Sequence, residues 1–158
     1  MIPFGLKKDA FVTRCTRLLD KCAPQAIGTL RDLFARELPP TVTAASVELF
    51  VGDDDAGLDA WISFDGRDRK VDSQDPGLFP GRSLKLELGL EAFGEFDERY
   101  FGEKFDGGAL IADLVKRWIA ECWWKAGGWT YAVPVEVSVH DGLGDGTPIR
   151  LTERKPAA

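Results

Sequence analysis

Residues 108–140 read GALIADLVKRWIAECWWKAGGWTYAVPVEVSVH, and the apolar period changes part-way along them. Leu110, Ile111, Leu114, Val115, Trp118, Ile119 and Cys122 recur at spacings of three and four, with Trp123 on the border of the same side. Asp113, Lys116, Arg117, Glu121 and Lys125 fall largely elsewhere. That pattern predicts a helix from about Gly108 to Ala126, stopped by Gly127-Gly128. Beyond the glycines the period drops to two. Tyr131, Val133, Val135, Val137 and Val139 alternate with Ala132, Pro134, Glu136, Ser138 and His140, as along a half-buried strand. Pro134 has no N–H for a ladder, so the first part of that strand belongs at an edge or a bulge. A long helix running into a strand through two glycines predicts a sheet with helices laid on it.

The flanking sequence extends this picture. Downstream, the Gly/Asp-rich run from Asp141 to Gly146 turns the chain. Pro148-Ile149-Arg150-Leu151-Thr152 then returns as an edge strand before a tail expected to fray from about Glu153. Upstream, Val47, Leu49 and Val51 alternate with Ser46, Glu48 and Phe50. Ala60, Ile62 and Phe64 alternate with Asp59, Trp61, Ser63 and Asp65 across the turn Gly52–Gly57, giving an antiparallel hairpin. A polar loop from Gly66 to Gly81 follows, and Leu84, Leu86 and Leu88 supply a further strand. Residues 89–106 carry a short helix around 95–103 that aligns Phe96 with Tyr100.

At the N-terminus, Phe11, Cys15, Leu18, Leu19 and Cys22 form one apolar face from about Lys8. Pro24 suits the first turn of a second helix, whose stripe is Ile27, Leu30, Leu33, Phe34 and Leu38. The expectation is one compact α+β domain spanning residues 1–158. It has an antiparallel or mixed sheet of four to five strands, an N-terminal helix pair and a long central helix, in the order α-α-β-β-(β)-α-β-β.

Composition sets outer bounds. In 158 residues, 44% apolar and 29% charged is an ordinary globular balance, and five Trp with ten Phe supply enough apolar surface to build a core. No stretch reaches the length needed to cross a bilayer, and charge follows the short apolar N-terminus, unlike a secretory signal. Cys15, Cys22 and Cys122 are odd in number. On an intact helix Cys15 and Cys22 stand about 10 Å apart along the axis, too far to pair. Free buried thiols imply a reducing, cytoplasmic setting. The net charge is −6, and residues 39–106 hold sixteen Asp/Glu against seven Lys/Arg. Such a segment repels a phosphate backbone and excludes nucleic acid as the expected partner.

Chemistry-bearing patterns are sparse. His140 with Asp141 and Asp145 falls short of the three or four ligands of a zinc site. Asp53, Asp54, Asp55 and Asp59 lack the closing Glu of a calcium hand, and one Gly/Asp loop at 141–146 has no stacked neighbour to complete a site. The acids of 87–106 are abundant, but nothing in the sequence marks out one pair for glycosidase chemistry. There is no nucleophile elbow, and no phosphate loop is formed around Lys104. Neither a catalytic residue, a metal ligand nor a cofactor is assigned.

The remaining signal is aromatic. Trp124 falls opposite the apolar side of its helix, so it is either covered by another segment, such as 89–106, or used at an interface. Trp61 faces away from Ile62 and with Phe50 forms an apolar patch if helices cover one sheet face only. The expected surface comprises Trp61, Glu91, Phe93, Glu95, Phe96, Asp97, Glu98, Tyr100, Glu103 and Trp124. It fits a non-enzymatic protein-binding domain, inhibitor- or immunity-like, that offers acids and aromatic anchors to a basic partner or to a second copy. A small Asp/Glu hydrolase and a structural homo-oligomeric domain are the alternatives.

Overall fold

The computed structural model describes residues 7–52, 57–66, 83–95, 98–102 and 105–155. In chain order these form α1 (Lys8–Phe34), β1 (Val42–Val51), β2 (Leu58–Gly66), β3 (Ser83–Leu86), α2 (Gly107–Lys125), β4 (Val135–Val139) and β5 (Ile149–Arg150). Two 3₁₀ turns, Leu90–Glu95 and Glu98–Phe101, lie between β3 and α2. The class is α+β, with a mixed five-stranded sheet in the order β3-β2-β1-β4-β5. β1 pairs antiparallel with β2 and parallel with β4, while β2/β3 and β4/β5 are antiparallel.

The expected N-terminal helix pair is a single helix of 27 residues that runs through Pro24. Its buried positions are Phe11, Cys15, Leu19, Cys22, Ala26, Leu30 and Leu33. Their spacing of four, four, three, four, four, three is unbroken across the proline, so both halves address one continuous stripe. Interior proline removes one helix hydrogen bond and crowds the preceding turn, a cost of about 3 kcal/mol. Burying a single Leu or Phe side chain contributes about 1.5–3 kcal/mol, and this stripe buries several. Burial outweighs the break.

The hairpin of β1 and β2 matches the alternation read from sequence, with Val47 opposite Ile62 and Leu49 opposite Ala60. A register shift between Val42 and Ala44 keeps both Val42 and Ala45 on the buried side. Gly52 N–H donates to the Gly57 carbonyl at 2.8 Å across the hairpin mouth. The turn between them, at 53–56, lies outside the described residues, as does the loop at 67–82. β3 ends at Leu86, so Leu88 is buried beyond the strand. The short helix expected around 95–103 is replaced by the two 3₁₀ turns, with 96–97 outside the described residues.

α2 agrees closely with its prediction. The Asp106 carboxylate caps it by accepting the Ala109 N–H at 3.1 Å. Gly127, at a φ of 94°, takes the left-handed conformation that ends it. β4 is confined to Val135–Val139. Pro134 offers only its carbonyl, which accepts the Ala45 N–H at 3.0 Å, so the strand expected from Tyr131 starts after the proline. The C-terminal segment is tied at Glu153, whose N–H donates to the Trp129 carbonyl at 2.7 Å.

Buried residues of β1, β2, β3 and β4 join those of α1 and α2 in one core. At one end Phe34, Trp123 and Tyr131 pack ring to ring at 4.7–5.5 Å. Gly128 lies so close beneath this cluster that an added Cβ would stand 2.7 Å from Phe34 Cζ and closer still to the Trp123 indole. The three thiols are free and buried. Among the described residues no helix is long and apolar enough to cross a membrane.

Pro24 is exposed on a helix whose stripe continues past it. Pro24→Ala therefore stabilises the fold by roughly 1–3 kcal/mol, read as an increased urea midpoint at unchanged m. A midpoint equal to or below that of the wild type refutes the continuous helix.

Candidate functional site

Among the described residues, helices cover one face of the sheet and no element covers the other. Cross-strand register arranges the open face in rows. Lys85, Trp61, Glu48 and Ser138 stand side by side across β3, β2, β1 and β4. The next row is Ser83, Ser63, Ser46, Glu136 and Arg150, a floor of small hydroxyls bounded by one acid and one base. On the other side of the Trp61 row, Asp59 opposes Phe50, and the Phe50 ring stacks on His140 with centroids 4.7 Å apart.

Trp61 is 37% exposed in the middle of this surface. Lys85 Nζ lies 3.2 Å from Asp59 Oδ1 beside it, and that hydrogen bond is the main cause that raises the lysine's pKa. His140 sits between two carboxylates, with Nδ1 3.4 Å from Glu48 and Nε2 3.5 Å from Asp141. Where the hairpin ends, Phe50, Leu58, Asp59, Leu90 and Glu91 line an open depression of 420 Å³. Its two carboxylates, Asp59 and Glu91, are both exposed. Two hydrated acids, one already held by Lys85, do not make the split acid–base pair that glycoside chemistry needs. Among the described residues no group of three His, Cys, Asp or Glu is placed to hold a metal ion.

The expected surface does not stay together. Trp61 and Glu91 lie on or beside the open face. Phe93 and Tyr100 are core residues, a correction to their expected place at the surface. Phe93 is fully buried, and Tyr100 packs on Phe11 at 4.7 Å and on Phe105 at 5.4 Å, closing the core beside the start of α1. Glu95 and Glu98 belong to the 3₁₀ turns, and Phe96, Asp97 and Glu103 lie outside the described residues.

Trp124 is elsewhere altogether. Its Nε1 donates to the Leu151 carbonyl at 3.1 Å, and its ring meets Trp129 edge to face at 6.4 Å. The cover therefore comes from the C-terminal segment rather than from 89–106, and it is partial: Trp124 stays 41% and Trp129 39% exposed. The Arg150 guanidinium lies 5.2 Å from the Trp129 ring centre, a cation–π contact. This second aromatic surface is at β5, three strand spacings or about 14 Å from β2. Trp129 and Arg150 escaped the sequence reading because their proximity depends on β5 pairing with β4.

Lys116 was also misplaced by helix projection. Its side chain is 2% exposed because the 141–147 loop folds over it. Nζ donates to the Asp145 carboxylate and, at 2.7 Å, to the Thr147 carbonyl. Asp113 accepts the Asp145 N–H at 2.9 Å, and Asp145 accepts the Thr147 N–H at 2.8 Å. Gly144, at a φ of 85°, passes so close to the Asp113 carboxylate that a Cβ there would collide with it. Lys116 and then the Thr147 amide hold the Asp145 carboxyl below its ordinary value. The lysine stem is covered while its charge reaches a hydrated carboxylate, so the group clamps the loop.

Burial pushes the thiol of Cys15 up to about 12 and that of Cys122 up to about 11, which removes both as nucleophiles. Comparison with known proteins finds no matching family model, curated relative or solved structure.

Two outcomes follow from these buried groups. Lys116→Met speeds amide hydrogen exchange at Asp145 and Thr147 while protection in β1 and β4 is kept; unchanged exchange in the loop removes the clamp. The raised thiol pKa values mean that the folded state holds those protons more tightly than the unfolded chain. Their contribution is full below the ordinary value of 9.0 and is lost as pH rises through 9 towards 11–12. The urea midpoint accordingly declines from pH 9 upwards, and native thiols resist a disulfide reagent at pH 8 until the chain is unfolded.

Proposed function

We propose that this chain is a non-enzymatic protein-binding domain, of an inhibitor or immunity kind, that uses the open face of its sheet to receive a basic surface. The observation that carries the reading is Trp61, exposed at mid-sheet and set among carboxylates. Glu48 stands opposite it, Asp59 and Asp65 share its face, and Glu87 and Glu91 are exposed nearby; among the described residues Lys85 is the cation paired directly beside the indole. A partner Arg or Lys laid on the indole gains a cation–π contact, and adjacent acids satisfy its remaining donors. The serine row leaves a low floor beside the indole where a protruding side chain fits. The acidic surroundings steer approach and reject acidic partners. Three buried free thiols support a cytoplasmic setting.

Affinity capture from the source cell, with four versions of the protein side by side, tests this. Wild type and a control altered on the outer side of α1, Arg17→Glu, retain the same basic protein. Trp61→Ala and Glu48→Lys each lose it by at least about 30-fold, the size expected for an interface anchor worth about 2 kcal/mol. Equal retention by all four, or loss with Arg17→Glu alone, overturns the proposal.

A further inference from the structure

Trp61, Trp124 and Trp129 are the exposed large apolar side chains among the described residues, and they divide between two surfaces of opposite charge. Among the described residues, the exposed and half-buried charges around Trp61 are Glu48, Asp59, Asp65, Glu87 and Glu91 against Lys85. Around the Trp124–Trp129 pair they are Lys125, Arg150, Arg154 and Lys155 against Glu121, Glu153 and Glu136, the last opposite Arg150 on β4. Lys125 follows Trp124 in the chain, and Arg150 already lies over the Trp129 ring. The hydrogen bond between Glu153 and Trp129 holds the start of the 153–155 segment against the same edge. The β5 edge thus presents an aromatic, basic surface, and the Trp61 face an aromatic, acidic one.

We infer that the chain binds a second copy of itself head to tail, with the Trp124–Trp129–Arg150 edge of one copy docked on the Trp61 face of the next. This rests on the proposed reading of the Trp61 face as a receptor for basic groups, and names one occupant for it. The two surfaces are different patches, so the contact is heterologous rather than two-fold. Every added copy carries a free edge and a free face, and assembly continues beyond a dimer unless the rotation closes a ring. Charge supplies much of the recognition, so salt weakens the contact.

Sedimentation velocity with two complementary variants tests it. One, Trp61→Ala with Glu48→Lys, blocks the face; the other, Trp129→Ala with Arg150→Glu, blocks the edge. Wild type forms species larger than a dimer as concentration rises at low salt, and these dissolve at ~1 M salt, where the screening length falls to about 3 Å. Each variant alone is monomeric, and an equimolar mixture gives a heterodimer and nothing larger, because one intact face meets one intact edge. A wild type that stays monomeric, a variant that self-associates alone, or a mixture that stays monomeric overturns the inference. If wild type is monomeric while capture of a basic protein still depends on Trp61, self-association falls and the receptor reading stands. If capture is insensitive to Trp61 as well, both fall.

Discussion

One-sided burial of the sheet governs this molecule. β1 sits at the centre with partners on both edges, and its residues alternate strictly between the helix layer and water over Ala45–Leu49. A strand with period two has only two places to put side chains. The inner side takes Ala45, Val47 and Leu49, while Ser46, Glu48 and Phe50 must go outward. Register carries that choice to neighbouring strands, so the position of Trp61 follows from Ile62 being in the core. A one-residue slip of β1 against its neighbours would turn Ser46, Glu48 and Phe50 inward and Val47 and Leu49 outward, which fixes the pairing.

The helix layer obeys the same constraint at longer period. α1 and α2 each bury one stripe, and their polar sides meet water or the loops that cross them. The two exceptions, Lys116 and Trp124, lie where the chain after β4 comes back over α2. Lys116 is held through its charge by Asp145 and Thr147; Trp124 is held through its N–H by Leu151. The chain after β4 is therefore fastened to α2 by polar contacts at two points, and the Leu151 side chain is buried at the second of them.

Local periodicity made most elements legible: α2 to within a residue, the β1–β2 hairpin, β3, and the return of β5 to the sheet. At Pro24 a local rule about backbone hydrogen bonds suggested a break, although the apolar spacing from Phe11 to Leu33 continued without a phase change. Phe93 and Tyr100 were misread for a related reason. Aromatics among many acids resemble a surface, yet in irregular backbone nothing in the spacing says which side chains turn inward. Trp61 could be placed because a strand neighbour fixes its direction. Trp129 and Arg150 could not, since their contact joins residues on either side of a loop. Lys116 illustrates the same limit, as helix projection sees only the helix and not the segment that later covers it.

The brevity of β5 has a further effect on how copies can meet. With two residues, a proline just before it and the chain leaving at Leu151, the outer border offers almost no run of free amides and carbonyls. Backbone zippering of the kind that leads to fibrils finds no template along that side. A contact at this border has to be made by side chains, the Trp129 indole and the Arg150 guanidinium among them, rather than by backbone pairing.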